Sequence, residues 1–146
     1  MIAVDTNILV YAHRPETPFH AAAYETLASL AADGRRFGFP MQCLVEFVGV
    51  VRHPKIWKQP SSPARVRDQI EAWLEPPRSQ VLTEEESMLP GLLDVVDSAQ
   101  LSGGAVHDAR VFACCKLHGV TELWSADRDF SRFRGLAIRN PLLNRS

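Results

Sequence analysis

Five acids in this chain carry the residue types and positions from which a hydrolytic site could be built. Asp5 ends the short apolar run IAV and is followed at once by Thr6 and Asn7. Alone it reads first as a capping acid for the helix that follows, alongside Thr6 or Asn7. Glu46 stands in MQCLVEFVGVVR, a stretch that is otherwise almost wholly apolar. At helical spacing Gln42, Glu46, Gly49 and His53 share one narrow stripe, facing either solvent or a polar cleft. Asp108 lies in the opening turns of AVHDARVFACC, with Phe112 and Cys115 one and two turns on, so it occupies an apolar face. Its other reading is a favourable acid at a helix N-terminus. Asp127 and Asp129 follow TELWS in SADRDF, where they also read as turn residues.

Gathered together, Asp5, Glu46, Asp108 and Asp127 could not remain anionic without compensation; like charges packed close either hold protons or collect cations. Oxygen donors without His or Cys select a hard ion, Mg²⁺ or Mn²⁺. One or two such ions activate water and stabilise a leaving oxygen in phosphodiester hydrolysis, with no serine, cysteine or histidine nucleophile. Asp5 and Asp108, each leaving the end of an element, are the expected inner ligands.

The elements that must bring these acids together are short. IAV reads as a buried strand and Ile8–His13 as a helix, broken by RPETP. A second helix is expected over Phe19–Asp33, a strand at FGF (37–39), and a third helix opened by Pro40 and stopped at His53-Pro54. Residues 54–63 form a proline-rich loop, and SSPARVRDQIEAWLE is a capped helix to Glu75. SQVL (79–82) reads as strand, residues 84–99 as helix with a kink or break at Pro90, and AVHDARVFACCKLHG as a helix closed by Gly119. TELWS (121–125) is a strand and AIR (137–139) a final edge strand. Short apolar strands alternating with helices imply an α/β architecture around a parallel sheet. In such sheets sites lie beyond the carboxyl ends of the strands, where several of the acids fall.

The 146 residues suit one domain and are ordinary for a globular protein, with 46% hydrophobic and 23% charged residues. Lys plus Arg number 16 against 17 Asp plus Glu, a net charge of −1 that argues against a nonspecific nucleic-acid binder. The average hides patches. Arg52, Lys55, Lys58, Arg65 and Arg67 occur without an intervening acid, Glu84 to Asp97 contains no base, and Arg128, Arg132, Arg134, Arg139 and Arg145 crowd the C-terminal stretch. Arg52, Lys55 and Lys58 directly follow the Glu46 helix and form the expected phosphate track for a polyanion. Cys43, Cys114 and Cys115 have no zinc-ligand spacing and read as small core residues in a reducing compartment. With no leader and no apolar run of membrane length, a cytoplasmic protein is expected.

VDTNILVYA, the Glu within VEFVGVVRHP, DARVFACCKLHG, and SADRDFSRF followed by GL and NPL together resemble PIN-domain ribonucleases, and within them VapC-type toxins of bacterial toxin–antitoxin pairs. The resemblance spans nearly the whole chain. It implies a single nuclease domain over 1–146, a three-layer α/β/α fold with a central, mainly parallel sheet, and a Mg²⁺-dependent endoribonuclease. By motif Asp5 and Asp108 match the family's metal-binding acids, Glu46 its helix acid and Asp127 the acid after the late strand. Asp129, Ser125, Thr6 and Asn7 are accessory; Ser125 keeps a hydroxyl where family members commonly carry Thr. The resemblance further implies a homodimer, a small VapB-like antitoxin that blocks the site, and structured RNA such as tRNA as substrate.

Three other readings compete. A metal-dependent phosphatase with Asp5 as nucleophile would want a second Asp two residues on, where this chain has Asn7. A receiver-type signalling module would want a Lys after a late strand, where SADRDF offers arginine. A PIN fold retained only to bind RNA or protein would not need the full set of acids.

Overall fold

The structure is a computed structural model that describes residues 1–143; Arg145 lies outside the described residues. Five parallel strands, β1 (Ile2–Val4), β2 (Phe37–Pro40), β3 (Ser79–Leu82), β4 (Glu122–Trp124) and β5 (Ala137–Arg139), form one sheet in the order β3-β2-β1-β4-β5. Among the described residues six α-helices flank it: α1 (Thr6–His13), α2 (His20–Asp33), α3 (Met41–Val51), α4 (Pro63–Leu74), α5 (Leu89–Ser98) and α6 (Gly104–Leu117). This is the α/β fold with a parallel sheet that the strand–helix alternation implies.

The two-residue period of a strand divides the core between the faces. On one side Ile2, Val4, Phe37, Phe39 and Trp124 pack with α1–α4, including fully buried Leu9, Leu30 and Phe47. On the other side Ala3, Leu82 and Leu123 pack with Phe112, Cys115 and Phe130. Burying each such large side chain contributes about 1.5–3 kcal/mol. Gly38 lets β2 lie tight against β3, since a Cβ there would stand 2.7 Å from Leu82 Cδ2. Cys43, Cys114 and Cys115 are buried free thiols, as expected of small core residues. No helix among the described residues is long and apolar enough to cross a membrane.

Several boundaries differ from expectation. Helix α1 starts at Thr6 because the Asp5 side chain accepts from the Thr6 N–H and acts as its cap. The segment expected as a helix from Glu84 with a kink or break at Pro90 is broken: a 3₁₀ turn, Glu86–Met88, is followed by α5. Pro90 falls in the first turn of α5, where its missing N–H costs nothing, so it begins a helix instead of bending one. SADRDF closes into a second 3₁₀ turn, Arg128–Arg132, capped by the Asp127 side chain on the Asp129 N–H at 2.9 Å. Gly119, at φ +69° just past α6, takes the left-handed conformation that ends the helix.

Candidate metal centre

The strand order reverses between β1 and β4, and the crevice beyond their carboxyl ends is the switch point of the sheet. Asp5 leaves β1 there, and Ser125 to Asp127 leave β4, whose Trp124 is in register with Val4. Glu46 comes in on α3, directly after β2, and Asp108 on α6. A cleft of about 340 Å³ is lined by Asp5, Thr6, Asn7, Glu46, Asp108 and Asp127, among others.

Asp5 is 7% exposed and held from several directions. The Thr6 N–H donates to Oδ1 at 2.8 Å, and the Ser125 hydroxyl donates to Oδ2 at 2.7 Å. Asn7 Nδ2 reaches Oδ2 at 3.3 Å, and the Cys43 thiol reaches Oδ1 at 3.5 Å. Burial raises the Asp5 pKa, and the charge of Glu46 adds to the rise; the bonds from Ser125, Thr6 and Cys43 oppose it. Burial and then the Asp5 charge push the Cys43 thiol well up, so it stays a neutral donor.

Ser125 is itself almost inaccessible, accepting from the Asp127 N–H at 2.9 Å while donating to Asp5. Asn7 spans the same junction, its Oδ1 accepting from the Ala126 N–H at 3.1 Å. These residues tie the ends of β1 and β4 into one unit.

Glu46 is solvent-exposed, yet it lines the cleft instead of an outer face. Its Oε2 accepts from the Thr6 hydroxyl at 3.0 Å and its Oε1 from Gln42 Nε2 at 3.3 Å. The helix it stands on is less buried than its apolar sequence implies: Met41 and Val45 are 42% and 63% exposed. Gln42, counted with Glu46 in the sequence stripe, is buried beneath it.

Asp108, Asp127 and Asp129 each offer a carboxylate oxygen, and the three oxygens lie within 4.8 Å of one another. Burial raises the Asp108 pKa, the neighbouring Asp127 raises it further, and Arg132 opposes both. Arg132 Nη2 stands 3.7 Å from Asp129 Oδ2, and its Nε donates to the Asp129 carbonyl at 2.8 Å. One partly engaged arginine leaves these acids short of positive charge, and an all-oxygen donor set with that deficit fits a hard divalent cation.

The basic track is only partly beside the cleft. Val50 lines it, two residues before Arg52, but the exposed Arg52 guanidinium donates to the Ser61 carbonyl at 3.2 Å. Lys55 and Lys58 are exposed on the following loop and do not line the cleft. That loop is pinned, since the Trp57 indole N–H donates to Val50 O at 2.7 Å and Arg14 stacks 4.2 Å from the Trp57 ring centre.

Sequence reasoning missed Tyr11, which lines the cleft, and gave no site role to Gln42, named only as part of the Glu46 stripe, or to Arg132, which faces the acids. Gln42 had a usable signal, one helical turn before Glu46. Arg132 had none beyond its place in an arginine-rich stretch.

The PIN domain family matches residues 2–136. VapC ribonuclease Mb2897 of Mycobacterium bovis is 34% identical over 142 residues, covering 97% of this chain and 96% of that protein. Ribonuclease VapC48 of Mycobacterium tuberculosis is 29% identical over 137 residues, 94% of each chain. VapBC2 of Rickettsia felis, solved with a DNA fragment from its promoter, superposes with a TM-score of 0.67 at 18% identity over 95% of this chain and 98% of that one. VapC20 of Mycobacterium tuberculosis, described as a sarcin-ricin loop cleaving toxin, superposes with a TM-score of 0.65 at 16% identity over 90% and 94%. At those identities the structural likeness speaks for the fold.

Proposed function

The chain belongs to the PIN-domain family and, within it, to the VapC ribonucleases, and from that premise we propose that it hydrolyses RNA phosphodiester bonds at the carboxylate cleft with the help of Mg²⁺ or Mn²⁺. The observation that carries the reading is the convergence of Asp108, Asp127 and Asp129 within 4.8 Å, in a cleft also lined by Asp5 and Glu46.

Asp5 and Asp108 are the proposed inner ligands, with Asp127 and Asp129 completing the acidic wall. The ion, when bound, polarises the scissile phosphate and lowers the pKa of water. Asp5 is held by Ser125, Asn7 and the Thr6 N–H, so its geometry is set before any ion arrives. Glu46 has both oxygens held as acceptors and faces the cleft, placed to take a proton from the attacking water. The water oxygen bonds to phosphorus as the bond to the leaving sugar oxygen breaks, and solvent protonates that oxygen. Arg52, Lys55 and Lys58 supply backbone contacts to the RNA leading away from the mouth.

We assign the protein the role of toxin in a toxin–antitoxin pair, restrained by a small VapB-like protein. A cleft of acids is closed most simply by an arginine or lysine, and arginine's planar fork can engage two carboxylate oxygens in the space of an ion. The homodimer implied by the resemblance has apolar surface to use: Leu89 and Leu93, one turn apart on α5, are 52% and 56% exposed.

Labelled structured RNA incubated with purified protein, with Mg²⁺ or with EDTA, tests the chemistry. Cleavage that EDTA leaves untouched removes the metal from the reading, and intact RNA under every divalent ion removes the nuclease. Co-expression with a small VapB-like protein, sought among the reading frames beside its own, tests the partner. Copurification with cleavage as fast as that of the free enzyme would show that the partner does not block this cleft.

A further inference from the structure

Among the described residues, one buried side-chain atom has no hydrogen-bond partner: Oε1 of Gln42, a residue only 8% exposed. Buried polar atoms in native proteins are paired as a rule, because an unmade bond costs about 1–3 kcal/mol. The opposite end of the same amide is fully used. Gln42 Nε2 donates to Glu46 Oε1 at 3.3 Å and to the His107 carbonyl at 3.2 Å. Turning the amide over would satisfy nothing, since it would set a carbonyl oxygen against a carboxylate and another carbonyl. Both acceptors therefore fix the orientation, and the unpaired oxygen is its consequence.

The two acceptors belong to different parts of the site. Glu46 is one turn along α3, and His107 immediately precedes Asp108 on α6. The single amide group thus ties the helix acid to the backbone that carries the opposite acid. The Thr6 hydroxyl holds the other Glu46 oxygen, so the two donors together leave the carboxylate little freedom to rotate.

We propose that Gln42 is a positioning residue: its amide bridges α3 to α6, fixes the Glu46 carboxylate relative to Asp108, and accepts an unsatisfied buried oxygen to do so. The assignment rests on the ribonuclease reading of the cleft and deepens it. Groups that orient the carboxylates of such sites change activity by about 10–100-fold when removed. A residue retained for stability behaves differently, because replacing Gln42 with an apolar side chain of similar length removes the unpaired oxygen and relieves the fold.

The test uses Gln42→Met and Gln42→Leu in the full chain, with melting temperature, kcat and KM measured on one structured RNA in Mg²⁺. Expected are melting temperatures at or above that of the unaltered protein, an unchanged KM, and kcat lower by about 10–100-fold. In a Glu46→Gln background, Gln42→Met should lower kcat no further, because its effect passes through Glu46. Either variant folded and cleaving at the full rate overturns the assignment. So does a fall in melting temperature that accompanies the fall in kcat in both variants, or a full additional loss in the Glu46→Gln background. If the unaltered protein cuts no RNA with any divalent ion, the nuclease reading falls and this assignment with it.

Discussion

The Ser125 hydroxyl donates to Asp5 Oδ2 at 2.7 Å although the two residues are 120 positions apart. Parallel pairing of β1 with β4 makes the contact, by bringing the ends of both strands to one crevice. Ser125→Ala should leave Oδ2 with only the longer Asn7 bond and strip the acceptor from the Asp127 N–H. We expect a loss of about 1–3 kcal/mol in stability by denaturant titration. Ser125→Thr, which keeps the hydroxyl, should retain cleavage; equal activity in the Ala and Thr variants would separate this bond from catalysis.

Asp5→Asn and Asp108→Asn should each abolish Mg²⁺-supported cleavage and relieve growth arrest on expression, with the circular dichroism spectrum unchanged. Wild-type turnover by either variant would refute its assignment as a ligand.

The pH dependence of the metal-free protein has a defined sign. Burial raises the Asp5 pKa above its ordinary 3.8, so between 3.8 and the folded value the native state binds more protons than the unfolded chain. Stability from this group therefore falls as pH rises through that window. The melting temperature of Asp5→Asn should gain on that of the wild type as pH rises above 3.8, measured in EDTA. A constant gap across the series would contradict the raised value. Saturating Mg²⁺ should narrow the gap at the upper end.

Glu46→Gln should lose activity nearly as completely as Glu46→Ala. The amide keeps the size of the side chain but neither its charge nor its capacity to accept at both oxygens, as the bonds from Thr6 and Gln42 require. Normal cleavage by Glu46→Gln would return the residue to a role as a solvated surface acid.

Charge reversal at Arg52, Lys55 and Lys58 should weaken RNA binding and lower the slope of log K against log salt by about 0.7–0.9 for each phosphate that is no longer neutralised. Arg52→Glu is expected to act most strongly, because its helix end lies beside the cleft. Filter binding over a salt series measures this, and an unchanged slope in the triple variant would take the segment out of the interface.

The sequence by itself determined what depends on neighbours along the chain. The wholly apolar IAV reads as a buried strand, Pro63 opens α4 because it fits a first turn, Pro40 ends β2 immediately before α3, and Gly119 ends α6 because it accepts a positive φ. The order of the acids and the family they mark were legible for the same reason: Asp5, Asp108 and Asp127 sit at or near element ends that local pattern reveals, and Glu46 is the lone acid of an otherwise apolar helical stretch. Other features were decided by tertiary structure alone. That Ser125 meets Asp5 follows from the strand order β2-β1-β4, which no local period encodes. That Asp129 joins Asp108 and Asp127 follows from a 3₁₀ turn whose cap is one of those acids. The burial of Gln42 and its two-way amide bridge depend on how closely α3 and α6 approach, so a residue that reads in sequence as part of a polar stripe lies beneath the site. Helix periods and caps are short-range and leave a trace in the chain, whereas these contacts were set by the packing of elements across the sheet.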